Sequence, residues 1–153
     1  MLMQFSVENY KSFKEQAILS LVPNKEDSHP ENLSMFGAKE RVLNSIAIYG
    51  ANAAGKTNLF KALTTAILMV RRSNQLQKND RLTSIVPFLF DQASKSRPTC
   101  FEFVFVVGRI KYIYGFSATI TEIVSEYLYA YYSSKPSTIF EREGTSYKFP
   151  QDK

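Results

Sequence analysis

The chain opens on an alternation. Phe5 and Val7 fall on one side and Gln4, Ser6 and Glu8 on the other, the period of a half-buried strand over residues 2 to 8. Asn9 to Lys14 then turns the chain, and Gln16-Ala17-Ile18-Leu19-Ser20-Leu21-Val22 gives a second strand, stopped at Pro23 and expected to pair with the first as a hairpin. The polar stretch that runs on to Leu33 reads as an exposed loop. After Gly37, Val42-Leu43-Asn44-Ser45 leads into Ile46-Ala47-Ile48-Tyr49, too short for a helix and apolar on both faces, as a strand inside a mainly parallel sheet is. From Thr57 the apolar positions Leu59, Phe60, Leu63, Ala66, Ile67 and Val70 recur at three and four. That stripe predicts a helix with one face on the sheet, and Arg71 and Arg72 sit near the end where cations suit its dipole.

Residues 73 to 98 carry little periodicity. Gln75, Gln77, Lys78, Asn79 and Asp80 suggest a surface segment, which Pro87 and Pro98 bracket. Beyond it Phe101, Phe103 and Phe105 alternate, Gly108-Arg109 supplies a two-residue turn signal, and Tyr112, Tyr114 and Phe116 alternate back. With that turn, Phe105 faces Tyr112, Phe103 faces Tyr114 and Phe101 faces Phe116, an aromatic ladder expected to be sheet core and not a base-stacking platform. Ile123 to Tyr132 continues the meander, with Tyr127, Tyr129 and Tyr131 on one face and Leu128 and Ala130 on the other. A last short hairpin runs from Thr138 to Arg142, turns at Glu143-Gly144 and returns through Ser146 to Phe149, so the second half is expected to be antiparallel.

Between the apolar run 46 to 49 and the helix lies Gly50-Ala51-Asn52-Ala53-Ala54-Gly55-Lys56-Thr57, a full match to the phosphate-loop pattern G-x-x-x-x-G-K-[ST] in its required setting, strand before and helix after. A triphosphate concentrates negative charge, and backbone N–H groups at a helix N-terminus answer it with aligned dipoles and unpaired donors. Gly50 and Gly55 let the chain bend around it, Lys56 reaches the β and γ phosphates, and the Thr57 hydroxyl ligates Mg²⁺ beside phosphate oxygens and waters. Asn58 opens the helix. The expected ligand is therefore a nucleotide bound with Mg²⁺. Val86-Pro87-Phe88-Leu89-Phe90-Asp91 superficially resembles the apolar strand ending in a metal-binding Asp of phosphate-loop enzymes, but Pro87 interrupts it and Gln92, not Glu, follows.

Composition narrows the class. A chain of 153 residues with 44% apolar and 14% aromatic content can bury one core and is not disordered, and no apolar run approaches a membrane span of ~20 residues. The start shows no secretory signal pattern and Cys100 is the single cysteine, which points to the reducing cytoplasm; Cys100 reads as a small buried thiol beside Phe101. His29, alone in a polar run, reads as a loop residue and not a metal ligand. The net charge of +5 permits nucleic-acid contact without requiring it, because the basic residues are dispersed among Asp and Glu.

An N-terminal hairpin, a strand carrying G-x-N-x-x-G-K-[ST], one helix and an antiparallel meander resemble the start of an ABC-type ATPase head. The chain is most similar to bacterial ATP-binding proteins grouped with AAA-type ATPases, related to the overcoming-lysogenisation-defect and abortive-infection ATPases and, more distantly, to SMC-like repair ATPases. Phe5 to Phe13, Val42 to Leu59 and Phe101 to Tyr131 carry the resemblance. It implies an α/β fold of the P-loop NTPase type: residues 1–72 forming hairpin, phosphate loop and helix, 73–98 a surface segment, and 99–153 the meander. It also implies that Lys11, Ser12 and Phe13 lie near the base and ribose; a plain turn between paired strands is the alternative. Ala53 and Ala54 replace the Gly and Ser common in SMC-like members, which a backbone cradle tolerates wherever φ stays negative. Such a head later supplies an apolar strand ending in Asp-Glu, a signature helix and a switch His, and this sequence contains none of them. Catalytic residues are accordingly absent from the expectation, since Glu102, Glu122 and Glu126 sit on the meander. The chain reads as the N-terminal half of a longer ATPase, whose partners are the remaining half of the head or a second ATPase subunit, an effector protein or nucleic acid, and no membrane. The other reading is a truncated, non-catalytic interaction module.

Overall fold

The computed structural model describes residues 1–24, 29–36, 40–75 and 80–150. The middle of the expected polar loop before Leu33, Gly37, and Gln77 to Asn79 of the expected surface segment lie outside these residues. The core element is a seven-stranded sheet of β1 (Leu2–Glu8), β2 (Ala17–Ser20), β5 (Thr99–Val107), β6 (Ile110–Ala118), β7 (Ile123–Tyr131), β8 (Ser137–Glu143) and β9 (Ser146–Lys148). Their order across the sheet is β2-β1-β5-β6-β7-β8-β9. A separate ribbon pairs β3 (Leu33–Phe36) with β4 (Glu40–Leu43). The helices are α1 (Lys56–Arg72) and the single-turn α2 (Gln92–Ser96).

Every strand pair is antiparallel. The N-terminal hairpin forms as its alternation predicts, with Phe5 opposite Leu19 and Val7 opposite Ala17. The aromatic hairpin forms in the predicted register, pairing Phe101 with Phe116, Phe103 with Tyr114 and Phe105 with Tyr112. Phe5 then stacks on Phe101 at 6.4 Å and lies 5.1 Å from Phe103, which joins the first strand to the meander. One face of the sheet receives α1 through Ala62, Ala66 and Met69, and Leu82 and Ile85 close the same cluster. The β3–β4 ribbon covers part of the sheet through Val42, which packs with Met3 and Val106.

Four expectations change. Residues 45 to 50 form no strand, and no parallel pair exists among the described residues, so the α/β architecture is built on an antiparallel sheet and not on a mainly parallel one. The helix forms, yet its sheet-facing stripe is Leu59, Ala62, Leu63, Ala66 and Met69, while Phe60, Ile67 and Val70 stay exposed. The segment 73 to 98 is not all surface, since Leu82 and Ile85 are core residues. Cys100 is exposed, because Phe101 takes the inward position and strand alternation turns its neighbour outward. No helix among the described residues is long and apolar enough to cross a membrane.

Candidate functional site: a helix N-terminus closed by the first loop

Residues 45 to 50 reach the loop without forming a strand. The Ala54 amide donates to the Ala51 carbonyl at 3.3 Å to make the turn, and the Leu59 amide donates to Gly55 at 3.0 Å to open α1. Gly55 is the N-cap, in the left-handed region at φ 93°, and no side chain caps the helix there. No acidic residue occupies the first turn. The orphan donors and positive dipole end of a 17-residue helix therefore meet no side-chain counter-charge, which is the electrostatic preparation for an anion.

Lys56 folds back over the loop, its Nζ donating to the carbonyls of Gly50 at 2.7 Å and Ala51 at 2.8 Å. An ammonium has three donors, so one is left to meet a phosphate oxygen. Thr57 is exposed in the first turn, and its hydroxyl is a hard oxygen of the kind Mg²⁺ accepts. No group of three or more His, Cys, Asp or Glu residues among those described is arranged to hold a metal, so a cation here would take Thr57 together with phosphate oxygens and water. The donor set fits a Mg²⁺-bound polyphosphate.

The first loop meets this helix end. Glycine suits the left-handed backbone here, and a Cβ on Gly55 would press on Ser12 Oγ at 3.2 Å while meeting the Phe13 ring at an ordinary 3.5 Å. The Asn58 side-chain amide donates to Ser12 Oγ at 3.0 Å. Structure thus brings Ser12 and Phe13 against the residues 50 to 58. Lys11 is on the same loop, but its ammonium lies 5.6 Å from the Tyr10 ring centroid.

Sequence reasoning missed what holds that loop. Asn9 is fully buried, and its side-chain amide donates to the carbonyls of Ser94 and Arg97, each at 2.8 Å, and of Pro98 at 3.2 Å. Its Oδ1 accepts from the Phe88 amide at 3.1 Å, and the Lys11 amide donates to Val86 at 2.8 Å. Tyr10 is equally buried, with its hydroxyl 3.1 Å from Thr65 Oγ1 on α1. The segment 86 to 98 is therefore the brace of the first loop. Only the position of Asn9, a residue tolerant of left-handed backbone just after a strand, signalled this. Asp91 caps α2, accepting from the Ser94 amide at 3.2 Å and hydroxyl at 2.8 Å, which gives it a structural task. The Ser94 hydroxyl, aided by Lys14, holds the Asp91 carboxyl below its usual value.

A cavity of about 560 Å³ lies elsewhere, between the last turn of α1 and the sheet, with Met69, Leu82, Phe116, Tyr114, Glu126 and Arg142 in its wall. Tyr114 donates to Glu126 at 2.6 Å, and burial followed by that carboxylate pushes its phenol up. Arg142 donates to Glu126 at 3.4 Å and to the Gly144 carbonyl at 2.7 Å, so the polar groups answer one another within the sheet.

Ala53 corrects the sequence reading of the loop: its φ is +64°, not negative. Residues 45–153 match the family model described as "AAA domain, putative AbiEii toxin, Type IV TA system". No curated protein matches the chain.

Proposed function

The chain belongs to this AAA-domain family, and on that premise we propose that residues 50 to 58 bind ATP with Mg²⁺, with Ser12 and Phe13 closing the site from the first loop. The observation that carries the reading is the uncapped, acid-free N-terminus of α1 with Lys56 drawn across it. ATP would supply the transferable phosphoryl group; the chain's own residues would bind and orient it. The amides of the loop and first turn take the phosphates, Lys56 offsets their charge, Thr57 fixes the metal, and Gly55 leaves room for Ser12.

Hydrolysis also needs an oriented water and charge stabilisation on the transferring group. Glu102 accepts from Tyr127 at 2.5 Å and Glu126 from Tyr114, so these two meander carboxylates are committed within the sheet, while Glu122 lies in the turn between β6 and β7. We therefore assign this chain binding, and turnover only in company with the remaining half of an ATPase head or a second subunit. The unpaired run 45 to 50, with Tyr49 89% exposed, and the exposed Phe60 and Ile67 of α1 support a partner that covers this side. The family description supports a setting in abortive infection or toxin–antitoxin defence, in the cytoplasm. A non-catalytic module remains the second reading, favoured by the helix-capping task of Asp91.

Calorimetry with MgATP tests the site. Lys56→Ala is expected to remove most of the affinity and to leave the thermal midpoint within about 2 °C, because the side chain, on the first residue of α1, lies outside the core. Unchanged affinity sinks the assignment. Phosphate release by wild-type chain is expected near background, and robust release abolished by Lys56→Ala would refute the division of labour.

A further inference from the structure

Among the described residues, three other than glycine have positive φ: Asn9 at 52°, Lys11 at 49° and Ala53 at 64°. All three lie on the two loops that meet at Gly55. Backbone held in sparsely populated regions gathers at functional sites when its surroundings over-determine it. For two of the three the restraint is visible: Asn9 is anchored through its side chain to the segment 86 to 98, and the Lys11 amide is bonded to Val86.

Ala53 is different. Its side chain is a single exposed methyl that can neither hydrogen-bond nor pack into a core. What brackets it is the 3.3 Å bond from the Ala54 amide to Ala51 and the two bonds from Lys56 to Gly50 and Ala51. A left-handed alanine is disfavoured by a factor of about five to thirty in population. The same Lys56 donors that hold the turn belong to the group that a phosphate would engage.

We infer that Ala53 is a positioning residue that sets the affinity of the loop: its left-handed backbone limits the fraction of molecules whose loop amides are aligned for phosphate. This rests on the nucleotide-binding reading above. An equilibrium in which only part of the population is competent lowers apparent affinity by that fraction, so relieving the strain tightens binding without adding a contact. Glycine relieves it; valine, branched at Cβ, aggravates it.

The experiment compares wild type, Ala53→Gly, Ala53→Val and Lys56→Ala for MgADP affinity by calorimetry and for thermal midpoint without nucleotide. Ala53→Gly is expected to bind about fivefold tighter and Ala53→Val at least about fivefold weaker. The unliganded midpoints should agree within about 2 °C, because the site is exposed; a purely structural role would move midpoint and affinity together. Equal affinities for Gly, Ala and Val, with binding still abolished by Lys56→Ala, overturn the role of Ala53 alone. Unchanged affinity in Lys56→Ala overturns the nucleotide site and this inference with it.

Discussion

The centre of the sheet and the outer side of the phosphate-loop segment are both rich in apolar residues, yet they meet opposite fates. Phe101 and Phe116, opposite each other on β5 and β6, are 2% and 4% exposed. Phe60 on α1 is 55% exposed and Tyr49, one residue before the loop, 89%. Alternation asks for one buried face, and two neighbouring strands with one helix supply it. A continuous apolar run such as 46 to 49 asks for cover on both faces and for hydrogen-bond partners on both edges. Among the described residues it has no strand neighbour. The difference separates residues whose partners are within this chain from residues that fit a covering partner.

The largest effect should come from removing a ring at the centre. Phe101→Ala is expected to cost about 3–5 kcal/mol by urea denaturation, since it empties a site bounded by Phe5, Tyr10 and Phe116. Phe60→Ala, the same chemical change on the other side, should cost under about 0.5 kcal/mol. Comparable losses would erase the distinction between the two regions.

A second test adds an atom where the sheet is closed. A Cβ at Gly115 would come within 2.3 Å of the Tyr127 ring, which is tied to Glu102 and stacked on Tyr129 at 5.1 Å. Gly115→Ala should destabilise by about 1–3 kcal/mol, and pairing it with Tyr127→Ala should recover part of that loss. Strictly additive losses would mean that the ring is free to yield.

The same contrast explains what the sequence made legible. The hairpin from Phe101 to Phe116 was readable to the residue because alternation, turn chemistry and aromatic pairing agree there, and its partners are local. The ribbon of β3 and β4 was not, since four-residue strands give too few periods to stand out from the surrounding polar residues. The phosphate loop was legible as a motif, but the φ of Ala53 was not, because a left-handed alanine is a compromise imposed by neighbours. Asn9 escaped for a related reason. Its bonds reach residues about ninety positions away, and no local pattern announces such a brace.

A smaller effect should appear at Thr57, the proposed metal ligand. Thr57→Ala is expected to weaken ATP binding several-fold with Mg²⁺ present and to leave Mg²⁺-free binding nearly unchanged, since only a metal ligand is lost. Equal losses in both conditions would move the metal away from the first turn of α1.

The smallest effect concerns Asp91, which belongs to the brace and not to the site. Its carboxyl is held below the ordinary Asp value first by the Ser94 hydroxyl and then by Lys14, against partial desolvation. A group whose folded pKa is depressed contributes stability above its unfolded pKa, near 4, and loses it as pH falls through the folded value. Asp91→Asn keeps a side-chain oxygen for the Ser94 amide but gives up the charge that Lys14 faces at 3.6 Å. The variant should therefore unfold at a slightly lower urea concentration than wild type at pH 7, and the gap should close as pH falls through the depressed folded value. A gap that persists unchanged at low pH, or widens, would contradict the charge-based account. The same variant separates brace from metal site, because an Asp that ligates Mg²⁺ would lose MgATP affinity on conversion to Asn. Affinity should stay where it is, with only the stability above the acid range lowered; a Mg²⁺-dependent loss would instead place Asp91 beside the phosphates and require the segment 86 to 98 to be rebuilt around the nucleotide.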